Sequence, residues 1–407
     1  MTYTLSQDDH HDADTQLAAA FERFHADLGT DRLDCLTIAE AHDDLAALET
    51  HAARIVETSD DVLVLGIGGS SLAAQTLLAL SDDARHRVRL HTIDNIDPET
   101  WNALLARLDP ARSHVLAVSK SGRTAETLAQ LLLAMRWLDE AGCSTGERLT
   151  VITEPGPRPL RDLADVAKAP AIDYPTTIGG RFSALSPVGM LPAMLGGLDA
   201  AAVRRGAASV LDDIRSNGVA SAPVRGVAGL VGSEIRGATV QVFLTYSDRL
   251  APVAPWWVQL WGESLGKDGK GSSPVAAKGA TDQHSQLQLW RDGPKRHMVT
   301  VLGLEGGADT PAMAAGHPDL AYLNGRTLGD LFEAEREATC ESLAVAGVPV
   351  RKFLVARADE AALGALFAHL MAETILMAPM IGVDAFGQPA VEDSKVRARD
   401  KLRAMAP

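Results

Sequence analysis

The sequence predicts an α/β protein with two doubly wound parallel sheets and a C-terminal helical tail. Short continuous apolar runs are typical of strands buried on both faces of a parallel sheet. The first such runs are residues 61–67, 88–93, 114–119 and 148–153. Glycine or hydroxyl-rich turns and helical patterns follow them, which is the element order of a doubly wound unit. A second series occupies residues 226–245, 297–302 and 351–356. We therefore expect two similar domains with a cleft between them.

The predicted elements divide the chain into four parts. These are an N-terminal helical segment (1–58), a first α/β domain (59–215), a second α/β domain (216–378) and a C-terminal tail with a helix (379–407). Apolar positions at helical spacing predict two or three covering helices in residues 15–57. The Asp- and His-rich stretch 8–14 is interpreted as a frayed terminus rather than a metal site.

Composition and charge favour a soluble globular enzyme. The 407 residues are 46% hydrophobic and 22% charged, and the formal net charge is −15. This balance argues against nucleic acid and anionic membranes as partners, because both require a basic face. The three cysteines, Cys35, Cys143 and Cys340, are far apart and form no C-x-x-C pair. Neither a disulfide framework nor a zinc site is indicated, and a reducing cytoplasm is expected. We predict no targeting or membrane-spanning segment.

The first predicted strand ends in a glycine-rich turn, GIGGSS at 66–71, and a helix follows. Backbone N–H groups at such a turn, together with the helix dipole, bind anions. A dinucleotide site would need a third glycine where Ser71 stands, so NAD binding is disfavoured.

The segment SKSGRTAET at 119–127 lies at the next strand-to-helix turn. It combines hydroxyl groups with Lys120 and Arg123, at the position where parallel sheets bind ligands. A helix cap would explain two of the hydroxyls but not the two cations. A phosphate monoester is the predicted ligand.

Arg181 precedes a nearly continuous apolar stretch at 185–195. An arginine at the mouth of a buried element requires an anionic partner, because burying an unpaired charge is costly. The partner is either a carboxylate of a structural ion pair or a ligand.

Residues 256–288 carry the strongest indication of chemistry. Apolar side chains at helical spacing predict a helix on which Gln259 and Glu263 lie one turn apart. The stretch 268–274 cannot continue that helix, so we expect a mobile or ligand-covering loop that leads to His284. A solvated loop with a surface glutamate is the alternative. The close spacing of Glu, Lys, His and Gln favours a functional site.

Six segments in order resemble the glucose-6-phosphate isomerase (phosphoglucose isomerase) family. They are GIGGSS at 66–71, SKSGRTAET at 119–127, GGRFSALSPVGMLP at 179–192, QLWGESLGK at 259–267, TDQHSQLQ at 281–288 and FGQPAVEDSK at 386–395. The resemblance spans most of the chain. It implies sugar-isomerase (SIS) domains with three αβα layers and an aldose–ketose isomerase of glycolysis and gluconeogenesis.

The resemblance also implies residue roles. The substrate phosphate would be held by Ser119, Ser121 and Thr124 with the backbone of Lys120, and Ser70 would lie nearby. His284 and Lys395 would open the sugar ring, Glu263 would carry a proton between C2 and C1, and Arg181 would stabilise the cis-enediol(ate). Gln259 and Gln388 would line the site. This proton shuttle needs no metal or redox cofactor.

Members of this family are dimers in which the histidine comes from the partner, so a homodimer with shared sites is expected. The chain departs from the family pattern at Arg123, Ser71, Ala73 and Ser394. Two other functions remain open. One is isomerisation of another anionic hexose such as mannose 6-phosphate, and the other is phosphosugar binding by a regulator without catalysis. Such a regulator would not need Glu263, Arg181, His284 and Lys395 together.

Overall fold

The structure, a computed structural model, describes residues 3–6, 14–81, 87–306 and 309–405. Within these ranges ten strands form two five-stranded sheets. The strands are β1 (Tyr3–Ser6), β2 (Asp61–Leu65), β3 (Arg89–Ile93), β4 (Ser113–Val118), β5 (Leu149–Thr153), β6 (Ala171–Asp173), β7 (Val240–Tyr246), β8 (Ser273–Lys278), β9 (His297–Leu304) and β10 (Val350–Val355). The acidic N-terminal stretch discussed above lies outside the described residues, apart from Asp14.

Sixteen α-helices connect and cover these strands in the described ranges. They are α1 (Asp14–Asp27), α2 (Asp34–Thr37), α3 (Asp43–Thr58), α4 (Gly69–Leu78), α5 (Pro98–Leu105), α6 (Ala125–Glu140), α7 (Thr145–Arg148), α8 (Pro159–Ala167), α9 (Pro187–Leu195), α10 (Ala200–Asn217), α11 (Ala222–Ile235), α12 (Val253–Leu265), α13 (Leu287–Asp292), α14 (Leu328–Val345), α15 (Glu360–Met380) and α16 (Glu392–Ala404). The covering helices expected near the N-terminus are α1, α2 and α3.

The first sheet has the strand order β3-β2-β4-β5-β6, and every pair is parallel. All side chains of β2, β4 and β5 are buried, as the continuous apolar runs predicted. The strand order reverses between β2 and β4, so the loops after these two strands diverge and leave a crevice. The GIGGSS turn and the SKSGRTAET segment are those two loops. The two motifs that the sequence predicts to bind anions therefore lie at the switch point of this sheet.

The second sheet has the order β1-β10-β9-β7-β8, in which only β1 is antiparallel to its neighbour. The doubly wound α/β class is thus confirmed for both domains. The prediction of strand structure from residue 226 was wrong, because 226–235 lie in α11 and β7 begins at Val240. A continuous apolar run does not distinguish a buried strand from a buried helix.

The glycine-rich excursion after α12 also differs from the prediction. Its second half is β8, which pairs with β7 at the edge of the sheet, so only 266–272 form a loop. Pro274 within β8 pairs with Gln241. Proline is tolerated there because an edge strand needs hydrogen bonds on one side only.

Helix α15 is the core helix that positions the site. Among the described helices, α15 alone is long and apolar enough to cross a membrane. Of its most apolar 18 residues, 94% are buried inside the protein. The backbones of α15 and α10 are in contact at Gly364, because a Cβ at this position would lie 1.8 Å from the Val203 carbonyl oxygen. Phe367 packs edge-on against Trp256, with ring centroids 4.6 Å apart. Helix α12, which carries Glu263, is therefore held against the core.

Candidate functional site

The glycine turn after β2 contacts the other predicted motifs directly. Gly68 has φ of +58°, and a Cβ there would lie 2.7 Å from Gln259 Nε2. A Cβ on Gly69 would lie 2.2 Å from the Gly180 carbonyl oxygen. Only glycine permits such close approach with this backbone. Half-buried Ser70 is the second residue of α4, at the N-terminus of that helix.

The predicted phosphate loop forms a compact turn before α6. The Ser119 and Thr124 hydroxyls share a hydrogen bond of 2.8 Å. Gly122 has φ of +61°, and the Arg123 N–H donates to Ser121 Oγ at 3.2 Å. Helix α6 starts directly after Thr124. The three hydroxyls and the first N–H groups of α6 are thus brought together, which is a favourable arrangement for an anion.

The Lys120 side chain is engaged by the protein. Its Nζ donates to the Thr176 carbonyl at 3.0 Å and lies 3.6 Å from Glu154. Burial lowers the pKa of Lys120, and Glu154 opposes that shift. Glu154 also pairs with Arg158 at 2.6 Å. Glu154 was not predicted from the sequence, although its place directly after β5, at the carboxyl edge of the sheet, was a signal.

The positions that depart from the family pattern have different surroundings. The Arg123 side chain is exposed and has no ion pair with any described residue. Ser71 is buried and accepts a hydrogen bond from Gln75 at 3.0 Å. Ala73 is packed in the core. Ser394 is exposed on α16 and donates to the Val391 carbonyl at 3.1 Å.

Arg181 is the centre of a buried polar cluster. It is 3% exposed, and its Nη1 lies 3.4 Å from Glu263 Oε2. The same atom donates to Gln388 Oε1 at 2.8 Å, and Nε donates to Ser264 Oγ at 2.7 Å. Burial lowers the pKa of Arg181, and Glu263 opposes that shift. Of the two partners that the sequence left open for Arg181, a carboxylate or a ligand, the structure places a carboxylate, Glu263, beside it.

Both oxygens of Glu263 have defined neighbours. Gln259 Nε2 donates to Glu263 Oε1 at 3.0 Å, so the predicted one-turn pairing is present. The Gln259 Oε1 atom is buried and has no partner within the described part of the chain. Buried acceptors are seldom left unpaired. The cluster therefore presents a fixed carboxylate, a cation and an open amide oxygen at one place.

His284 and Lys395 do not join this cluster within one chain. The His284 side chain is exposed beyond β8 and makes no hydrogen bond or ion pair with the described residues. Lys395 lies on α16, which buries none of its side chains, and its Nζ bonds Glu392 Oε1 at 2.7 Å. Across the described ranges, no group of three or more His, Cys, Asp or Glu side chains is arranged to hold a metal ion.

Two cationic side chains hold the segment before Gln388, which was not predicted from the sequence. Arg181 Nη2 donates to the carbonyls of Ala385 at 2.6 Å and Gly387 at 3.1 Å. Lys267 Nζ donates to the Phe386 carbonyl at 2.9 Å. Bonds from a side chain to a distant backbone carbonyl leave no pattern in the sequence.

Comparison with known proteins shows the family of the chain. The family model for phosphoglucose isomerase matches residues 49–293. A probable glucose-6-phosphate isomerase of Haloarcula marismortui is 38% identical over 399 residues, which are 97% of this chain and 90% of that protein. The glucose-6-phosphate isomerase of Rubrobacter xylanophilus is 37% identical over 364 residues, covering 86% of this chain and 84% of that protein.

A solved structure shows the same fold over nearly the whole chain. The crystal structure of a hypothetical protein from Thermus thermophilus superposes with a TM-score of 0.89 and 36% identity. The match covers 96% of this chain and 95% of that one. With the family model covering more than half of the chain, this protein belongs to the phosphoglucose isomerase family.

Proposed function

We propose that this protein is an aldose–ketose isomerase that interconverts D-glucose 6-phosphate and D-fructose 6-phosphate. The observation that carries the proposal is the Arg181–Glu263 pair, which Gln259 and Gln388 flank at hydrogen-bond distance. Backbone contacts of Gly68 and Gly69 join this cluster to the glycine turn at the switch point of the first sheet. A carboxylate and a cation at one place are the groups that a proton transfer beside a carbonyl requires.

The phosphate is assigned to the loop at 119–124. The hydroxyls of Ser119, Ser121 and Thr124 and the backbone at Lys120 would donate to its oxygens, with Ser70 beside them. This assignment is supported by the proximity of these hydroxyls to the N-terminus of α6. Helix N-termini favour anions through free N–H groups and the helix dipole. The Lys120 ammonium is already bonded to Thr176 and Glu154, so its contribution is the backbone N–H.

Glu263 is assigned the proton transfer. In the open-chain aldose it removes the proton from C2, and the electron pair moves through C1 to the carbonyl oxygen, giving a cis-enediolate. The same carboxyl group returns the proton to C1, and the proton on O2 passes to the negative O1 as the C2 ketone forms, so that no net proton is gained or lost. Arg181 stabilises the negative oxygen in the intermediate. The reaction is redox-neutral, so it requires no electron-carrying cofactor.

Ring opening is assigned to His284 and Lys395, because both substrates are mainly cyclic in solution. Neither side chain contacts the Arg181 cluster within one chain. His284 is exposed beyond the edge strand β8, where a partner subunit can receive it. We therefore propose a homodimer in which each site takes its histidine from the partner. We also place the enzyme in the cytoplasm, in glycolysis and gluconeogenesis.

A direct assay tests the proposed activity. The purified protein is mixed with fructose 6-phosphate, and the formation of glucose 6-phosphate is followed with a coupled dehydrogenase. Mannose 6-phosphate is supplied in a parallel reaction as the alternative substrate, and the fructose 6-phosphate formed from it is measured. We expect turnover with fructose 6-phosphate and a much lower rate with mannose 6-phosphate. Phosphosugar binding without turnover would contradict the proposal and identify a regulator, and preferential turnover of mannose 6-phosphate would reassign the substrate.

A further inference from the structure

The segment 384–388 has an unusual set of backbone contacts. Four consecutive carbonyls, from Asp384 to Gly387, each accept a hydrogen bond from a cationic side chain. Lys267 Nζ donates to the carbonyls of Asp384 and Phe386. Arg181 Nη2 donates to the carbonyls of Ala385 and Gly387, which alternate with them. The segment is therefore held between two cations, and Gln388 follows it directly.

Lys267 joins this segment to the helix of the proposed base. It lies two residues beyond the end of α12, and its N–H donates to the Leu265 carbonyl at 2.9 Å. Gln259, Glu263 and Lys267 follow one another at intervals of four residues. The half-buried Lys267 side chain reaches across to the C-terminal segment, more than a hundred residues away in the sequence.

The two cations do not have equivalent tasks. Arg181 also contacts Glu263, Gln388 and Ser264, so part of its guanidinium faces the site. Within the described ranges, the hydrogen bonds of the Lys267 side chain go to the segment alone. Charge-assisted hydrogen bonds are roughly twice as strong as neutral ones. Removing Lys267 leaves Arg181 as the cation that binds these carbonyls.

We propose that Lys267 is a positioning residue for the isomerisation. It fixes segment 384–388 against α12, and this contact sets the position of Gln388 beside Arg181 and Glu263. It also fixes the point from which the backbone continues to α16 and Lys395. Its effect is on turnover, since a displacement of about 1 Å in a catalytic group can cost about 100-fold in rate. Substrate affinity is largely spared, because the loop assigned to the phosphate belongs to the first sheet. The inference rests on the activity and residue roles proposed above.

Three variants test this role. Lys267→Met removes the ammonium and keeps the length of the side chain, and Lys267→Arg restores a cation. Lys270→Met is the matched control, because exposed Lys270 gives one bond of 3.1 Å to the Gly382 carbonyl, outside the segment. The rate is expressed per folded molecule, with the folded fraction taken from urea unfolding. This correction separates positioning from a loss of folded protein.

For Lys267→Met we expect kcat to fall about 10- to 100-fold, with KM within about threefold of the parent's. Lys267→Arg should recover at least a third of the parent's kcat, and Lys270→Met should stay within twofold. The proposal is overturned if Lys267→Met keeps more than half of the parent's kcat, or if its lower activity results from a higher KM. It is also overturned if Lys270→Met loses as much, or if kcat falls only with the folded fraction.

Amide hydrogen exchange tests the contact without reference to activity. In Lys267→Met, peptides covering 382–388 should exchange faster than in the parent, while peptides covering α6 should not. Unchanged exchange at 382–388 overturns the inference even if the enzyme is an isomerase. Faster exchange in a protein that has no isomerase activity would retain the contact and refute the proposed function.

Discussion

Replacing Arg181 separates its charge from its shape. Arg181→Lys keeps the positive charge but loses the planar fork, and Arg181→Met loses both. The native guanidinium donates to Ser264, Gln388 and the carbonyls of Ala385 and Gly387, besides its contact with Glu263. One ammonium has three donors at a single point and cannot reach partners on several sides of the guanidinium.

The expected magnitudes follow from these contacts. Each buried partner left unsatisfied costs about 1–3 kcal/mol of folding free energy, so losing two gives about 2–6 kcal/mol in Arg181→Lys, and Arg181→Met, which loses every donor, should be destabilised more. Catalysis should respond differently. Losing a preorganised cation or donor at a developing oxyanion costs about 100- to 1000-fold in kcat. Arg181→Met should show that full loss, and Arg181→Lys should keep about one tenth or more of the parent's kcat by retaining the charge.

Two measurements distinguish these effects. Urea unfolding gives the loss of folding free energy, and the coupled assay on the folded fraction gives kcat. A clear difference in kcat between the two variants, measured on the folded fraction, would support a role for the charge of Arg181 at the intermediate. Equal kcat for the two variants, once corrected for folding, would refute it and leave Arg181 as a structural residue that holds segment 384–388.

Two further predictions concern Arg123 and the shared site. The exposed Arg123 side chain lies in the loop to which the phosphate is assigned, in a chain with net charge −15, so it should supply local attraction for a dianion. Arg123→Thr should therefore raise KM by about two- to tenfold at low salt and reduce the salt dependence of KM, and an unchanged KM at every salt concentration would make Arg123 a bystander. Co-expressed Glu263→Gln and His284→Ala subunits should recover about a quarter of the parent's activity, because half of the randomly paired dimers are mixed and each has one intact site. Mixed dimers that are no more active than the single variants would mean that His284 serves its own chain.

The convergence of the site could be predicted because parallel sheets align their carboxyl ends. Strand β2 ends before the glycine turn, and β4 ends before the loop at Ser119, so local patterns in the sequence placed both loops at one edge. The pairing of Gln259 with Glu263 followed from helical spacing alone. These predictions depended on short-range geometry.

The unpredicted features depend on tertiary contacts. The apolar residues of α11 are buried around much of the helix, so no amphipathic period distinguished it from a strand. Strand β8 contains proline and follows glycines, and it is stabilised by pairing with β7. The hydrogen bonds from Lys267 to the Asp384 and Phe386 carbonyls have no sequence signature, because every residue has a backbone carbonyl.

The position of Lys395 was predicted only through the resemblance. The structure leaves it on α16, which buries no side chain. A role in ring opening requires this helix to lie beside a substrate or a partner subunit. Neither neighbour can be predicted from the local sequence, because a helix of mostly charged residues indicates only exposure to solvent.

In the proposed reaction, Glu263 moves the proton between C2 and C1. Glu263→Gln preserves the shape of the side chain and removes the base, so turnover should fall by about 100- to 10,000-fold. The direct measurement is the exchange of the C2 proton of glucose 6-phosphate with solvent deuterium, followed by proton NMR on equal amounts of folded parent and variant. We expect exchange to be lost together with turnover, while the apparent affinity for the substrate changes by less than about threefold. Exchange by Glu263→Gln at the parent's rate would show that another group is the base.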